Sequence, residues 1–172
     1  LDGDDGDLRA SQGNFGLIWL QGKGSDFAPY AQWTHRAVKQ WPEFAQSLEA
    51  LSGVDLALEQ SGGYEFFTDE TEFEAFAADL KQQQTYLGDR SSYQVISGDE
   101  LRRTDPGIGK DVVGATFCPL DGHVNPLRLL NALRIAVLAS GGTITSDTKV
   151  TQVLAHKNGG FSLSTHDGQH FN

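Results

Sequence analysis

The chain contains no methionine and a single cysteine, Cys118, among its 172 residues. One thiol excludes an intrachain disulfide and a metal centre built from cysteines. It fits a reducing compartment, so a cytoplasmic location is the expectation. Basic residues are scarce, with 13 Lys and Arg against 23 Asp and Glu and a formal net charge of −10. Nucleic acid is gripped through clustered cations on phosphate, so no nucleic-acid partner is expected. A run of about 18 apolar residues is missing, which excludes a membrane-spanning helix. No signal-peptide pattern, low-complexity tract or internal repeat is present. With no initiator methionine and with Leu1 at the start, the chain reads as an internal piece of a longer protein. Two phosphate-binding spacings, Gly-x-Gly-x-x-Gly and the P-loop, are also absent.

The composition that remains is globular. Hydrophobic residues make up 38% and include 10 Phe and 3 Trp. That is enough apolar surface to bury one sizeable domain or two small lobes.

Periodicity and caps divide the chain. The acidic, Gly-rich residues 1–13 read as loop and 15–20 as a short strand. Apolar residues at spacings of three and four predict a helix from Phe27 to Leu51, with a kink or break near Trp41 caused by Pro42. Residues 54–60 and 63–68 read as two strands joined in a hairpin at Ser61-Gly62. Asp69, with Glu72 three residues on, opens a second helix that stops at Gly88. Residues 93–96 form a strand. Ser97 and Glu100 make a capping box for a short helix ending before Asp105-Pro106, and a strand follows over 112–118. Asn125-Pro126 is a helix start, with Asn as cap and Pro at the first position. The helix to Ser140 is apolar nearly all round, which predicts burial on more than one side. Strands are expected at 143–145, 150–156 and 161–165, the last two joined by a turn at 157–160. The first of these, delivered directly by the helix, would join a parallel sheet and leave an edge open to self-association. The fold class is α/β plus antiparallel β (α+β), the middle strands forming a separate antiparallel layer.

Taken singly, most polar and aromatic side chains have ordinary roles. Phe15, Ile18 and Trp19 read as core, and Lys23 as surface charge. His123 reads as a partly exposed loop histidine with no partner that would make it a base. His166 and His170 are four apart but lie in a strand-turn region, not on a helix face, so they do not form a zinc pair. Asp99, Glu100 and Asp105 are explained by capping, and Cys118 as a buried, inert thiol. The residues alone leave open an acidic α+β binding or interaction domain without catalysis, or a nucleotide-binding α/β protein.

Three segments carry a family resemblance. Arg9-Ala-Ser-Gln-Gly-Asn-Phe-Gly-Leu-Ile-Trp19 surrounds a glycine-rich turn with small polar groups. Asp121-Gly-His-Val-Asn-Pro126 leads into a helix. Gly141-Gly-Thr-Ile144 is followed by Val150-Thr-Gln-Val153. In order and spacing they resemble the flavin-dependent amino-acid oxidoreductases: D-amino-acid oxidase, glycine oxidase, sarcosine oxidase and opine-type dehydrogenases. The resemblance covers essentially the whole chain. It implies a partial Rossmann-like FAD-binding domain with an inserted antiparallel substrate-domain sheet. Residues 1–53 and 121–172 would belong to the flavin side and 54–120 to the substrate side. It implies FAD and oxidation of the C–N bond of a small-molecule amino acid or amine by hydride transfer. Asp2 would bind the adenosine ribose. Arg9, Ala10, Ser11, Asn14 and Gly16 would line the pyrophosphate, ribityl chain and isoalloxazine, and Val150 would offer backbone to the adenine. It assigns no catalytic residue in this stretch. The family's glycine-rich first turn and its closing third are expected outside these residues, so the chain by itself is expected to be inactive and not to retain FAD tightly.

Overall fold

Capping side chains set the helix boundaries. The computed structural model describes residues 1–3, 10–88 and 93–172. In helix α2 (Glu70–Leu87) the Asp69 carboxylate accepts from the Glu72 N–H at 2.9 Å. In α3 (Gly98–Thr104) the Ser97 hydroxyl accepts from the Glu100 N–H at 3.3 Å. Each satisfies an N–H that the first helical turn leaves without a partner. Helix α4 (Pro126–Ala139) begins at the Asn125-Pro126 signal.

Helix α1 (Ala28–Ser52) runs through Pro42, so of the kink or break expected near Trp41 the break does not occur. Proline lacks the N–H that would bond the carbonyl of Val38, four residues before it. Here the Gln60 amide donates to that carbonyl at 2.9 Å and to the Leu120 carbonyl at 2.7 Å. A side chain from outside the helix fills the gap left by the proline, and the helix continues.

The chain divides into two compact units. One comprises 15–47 and 56–125, the other 1–14, 48–55 and 126–172, with α1 contributing to both. The first unit holds two antiparallel sheets. Strand β1 (Leu17–Ile18) pairs with β5 (Gly122–His123), with Leu17 opposite His123 and Ile18 opposite Gly122. Strands β2 (Gly63–Phe67), β4 (Gly114–Cys118) and β3 (Gln94–Ser97) form the second in the order β2-β4-β3. Helix α2 lays Phe73 and Phe76 on Phe67, with ring centroids 5.6 and 5.3 Å apart. Leu20, Leu56, Leu80, Thr116 and Cys118 are fully buried in this unit.

The expected hairpin at 61–62 does not form. Only 63–67 enters the sheet, and Glu59 instead bridges His123. Gly62 has φ 101°, and a side chain there would fall 2.3 Å from the Phe117 ring, so the position requires glycine.

The second unit contains a 3-10 turn η1 (Ala10–Gln12) in contact with α4, and the antiparallel sheet β6 (Val150–Ala155), β7 (Phe161–Thr165), β8 (His170–Phe171). The turn at 157–160 forms as expected, the His156 N–H donating to the Gly160 carbonyl at 3.1 Å. Two expectations fail in this unit. Within α4 only Ala132 is buried, while Leu127 and Leu138 are 61% and 56% exposed. Apolarity all round shows what a helix can bury, and within its unit α4 has too little packed on it to do so. Residues 143–145 join no ladder. Their contact is with residue 2: the Asp2 N–H donates to the Thr145 carbonyl at 2.8 Å, and the Asp2 carbonyl accepts from the Thr148 N–H at 2.7 Å. No described pair of strands is parallel.

Candidate functional site

The resemblance singles out seven residues, and the structure divides them. Asp2, Ala10, Ser11, Asn14 and Val150 belong to the second unit and Gly16 to the first, while Arg9 lies outside the described residues. The main-chain bonds of Asp2 to Thr145 and Thr148 bring it within two residues of Val150, at the start of β6. Among the described residues β6 pairs only with β7, so Val150 lies on an edge strand. An edge leaves alternate main-chain groups open to a ligand. Ala10, Ser11 and Asn14 lie on an exposed turn held locally: the Gly13 N–H donates to the Ala10 carbonyl at 3.1 Å, and the Asn14 amide donates to the Ser11 carbonyl at 2.6 Å.

Gly16 is buried, with φ 71°, a backbone conformation that favours glycine. Its carbonyl accepts from the Val124 N–H at 2.9 Å. The following residues separate by burial. Ile18 is buried and Trp19 is half-buried against Gly63, as a core role requires. Phe15 departs from its expected core role: it is 88% exposed. Alternation along the short strand turns Ile18 inward and leaves Phe15 and Leu17 outward.

The sequence reading missed a buried polar network in the first unit. Asp121 has no exposed surface. Its Oδ1 accepts from the Leu20 N–H at 2.6 Å and its Oδ2 from the Gln21 amide at 2.9 Å. The same Gln21 amide nitrogen donates to the Gly63 carbonyl at 3.1 Å, and the Gln21 oxygen accepts from the Thr116 hydroxyl at 2.6 Å. Nearby, the Gln83 amide donates to the carbonyls of Leu20 and Lys23 at 3.0 and 2.6 Å, and its oxygen accepts from the Tyr93 hydroxyl at 2.7 Å.

Burial is the main reason the Asp121 carboxyl is shifted above its ordinary range, opposed by the hydrogen bonds from Leu20, Gln21 and Cys118. Burial also pushes the Cys118 thiol up to about 12, with the Asp121 charge adding to it, so Cys118 stays protonated and inert as expected. Tyr93 is raised for the same reasons, burial first and then Cys118 and Asp121. One sequence signal marks Asp121. It lies three residues past the end of an apolar strand and precedes a glycine, where a solvated turn carboxylate and a buried one look alike.

The face of the β2-β4-β3 sheet carrying Tyr64, Phe66 and Phe117 is aromatic. Tyr64 stacks near Phe66 at 5.6 Å with an 18° tilt, and its ring centroid lies 4.7 Å from Phe117. Beside them a groove of about 410 Å³ runs between Tyr64, Phe66, Gln94 and Ile96 and the α3 residues Leu101 and Thr104. His123 is exposed on β5, where its backbone is engaged with Glu59. His170 Nδ1 lies 3.0 Å from the Ser164 hydroxyl on the exposed β7-β8 surface. Among the described residues no helix is long and apolar enough to cross a membrane.

All of residues 1–172 match the family described as FAD dependent oxidoreductase, and the chain belongs to that family. It is 40% identical over 167 residues to one of the opine oxidase polypeptides of Rhizobium meliloti, covering 96% of this chain and 45% of that protein. It is 39% identical to the Agrobacterium tumefaciens protein of the same name, covering 95% of this chain and 44% of that one. The crystal structure of glycine oxidase from Geobacillus kaustophilus superposes with a TM-score of 0.79 at 25% identity, over 99% of this chain and 44% of that one. The chain thus spans less than half the length of the relatives it matches. FAD is the cofactor of the family. Two observations here fit that group: an exposed polar turn at 10–14 where a side chain on Gly13 would meet open space, and the edge strand at Val150.

Proposed function

We propose that this chain is a section of an FAD-dependent enzyme that oxidises the C–N bond of an amino acid or secondary amine. The observation that carries the reading is the match over the entire chain to the FAD-dependent oxidoreductases. The names of its relatives, opine oxidase and glycine oxidase, support an amino-acid-like amine as substrate.

FAD, when bound, supplies the hydride acceptor. The Asp2 carboxylate would accept hydrogen bonds from the ribose hydroxyls. Arg9, Ala10, Ser11 and Asn14 would line the pyrophosphate and ribityl chain. Gly16 would allow the flat ring to approach the main chain. Val150, on its edge strand, would meet the adenine. Residues 1–53 and 121–172 then form the flavin side, and 54–120 present the aromatic sheet face and its groove to the substrate. The 172 residues alone would be inactive.

The test is spectroscopic. Full-length protein should be yellow, with flavin absorbance bands that bleach anaerobically when a substrate amine is added. A colourless full-length protein whose melting temperature does not rise with FAD would overturn the reading.

A further inference from the structure

We propose that Asp121 is a positioning residue for the flavin: by accepting the Leu20 N–H it clamps the strand behind Gly16, and so fixes where Gly16 meets the ring. The inference rests on the flavin reading above and goes beyond it, because Asp121 lies in the core and touches no proposed ligand-facing atom.

The geometry is a run of matched contacts. Residues 121–124 answer residues 16–20 rung by rung. Asp121 Oδ1 takes the Leu20 N–H at 2.6 Å, Gly122 faces Ile18, His123 faces Leu17, and the Val124 N–H holds the Gly16 carbonyl at 2.9 Å. The ladder itself is only two residues per strand, too short to hold register unaided. The Asp121 side chain supplies the end stop. Its main chain is fixed too: its N–H donates to the Cys118 carbonyl at 3.2 Å and its carbonyl accepts from the Gly62 N–H at 2.9 Å.

A buried carboxylate with no cation is costly. Among the described residues no Lys or Arg pairs with Asp121. The residues facing it explain why an acceptor is needed. Leu20 and Gln21 both present N–H groups, and the Gln21 amide is oriented by the Thr116 hydroxyl on its other side. The titratable neighbours, Cys118 and Tyr93, both stay protonated at neutral pH and add no opposing charge. What the site demands is an acceptor at Oδ1. The negative charge is secondary.

That claim separates three variants of the full-length flavoprotein. Asp121→Asn keeps an oxygen for the Leu20 N–H, and only the outer contact with the Gln21 amide, which also holds the Gly63 carbonyl, has to adjust. It should bind FAD within about threefold of wild type, with an unchanged flavin spectrum. Asp121→Ala leaves the Leu20 N–H without an acceptor, and FAD should bind at least about tenfold more weakly, with a shifted visible absorption maximum. Leu80→Ala, in the same unit and making none of the hydrogen bonds of Asp121, should lower the melting temperature while leaving FAD affinity and spectrum unchanged. If Asp121→Ala fails to fold, Asp121→Val, which fills much of the same space but offers no acceptor, takes its place and should weaken FAD binding to a similar degree. Affinity is read by flavin fluorescence titration. Unchanged binding in Asp121→Ala or its replacement, or equal weakening in Leu80→Ala, overturns the proposal while the wild-type protein still binds FAD. A wild-type protein without flavin overturns the flavin reading itself.

Discussion

The two units treat apolar surface in opposite ways. In the unit of residues 15–47 and 56–125, Leu20, Leu56 and Leu80 have essentially no exposure, and polar groups such as Asp121, Gln83 and Thr116 are buried with them. In the other unit every residue of β6 is exposed, and Leu127, Leu133, Val137 and Leu138 of α4 reach the surface. The first unit is closed around its own core. The second carries a helix composed for burial whose described neighbours do not bury it. Stability of the 172-residue chain is therefore expected to reside mainly in the first unit.

The largest expected effect tests that contrast directly. Leu56→Ala should destabilise the protein by about 2–5 kcal/mol, from lost transfer energy and a cavity. Leu127→Ala, at 61% exposure, should stay within about 0.5 kcal/mol when measured on the 172-residue chain. Chemical denaturation followed by tryptophan fluorescence gives both values. Equal losses would mean that α4 is covered after all and that the contrast between the units is false.

Next in size is the seam at Pro42. Gln60→Ala leaves the Val38 carbonyl without its donor and should cost about 1–3 kcal/mol. In a Pro42→Ala background the restored helical N–H competes for that carbonyl, so the same change should cost measurably less. A double-mutant cycle with no coupling would show that the proline and the glutamine are independent.

How much of this was legible in the sequence follows from the range of each interaction. The capping pairs Asp69–Glu72 and Ser97–Glu100, Asn125-Pro126 and the turn at 157–160 are local, and each landed where the spacing put it. The hairpin at 61–62 failed because Glu59 pairs with His123, a partner far along the chain that local alternation cannot name. The unbroken α1 depended on Gln60, an equally distant side chain. At the candidate site the glycine-rich turn and the motif starting at Asp121 were visible as segments. That Asp121 is the buried anchor between them was not visible, because its partners are a backbone N–H and an amide, which leave no charge pattern to read.

The smallest effect is also the sharpest test of the buried network, since it concerns only a slope. Burial raises the Asp121 carboxyl above its unfolded value of about 3.9. Below that pH the group is protonated in both states, and its contribution to stability is fully present. As pH rises through the raised folded value, the unfolded chain releases its proton first, so unfolding gains ground and that contribution is lost. Asp121→Asn has no proton to release. The stability of wild type relative to Asp121→Asn should therefore fall as pH climbs from about 4, then level off once both states are ionised. The window must close below about pH 8, where Cys118 and Tyr93 remain protonated in both states. Urea midpoints at a series of pH values supply the curve. A rise in place of the fall would mean that the Leu20 and Gln21 hydrogen bonds outweigh burial. Asp121 would then be an anchor that works through its charge, and Asp121→Asn would no longer be expected to preserve FAD binding.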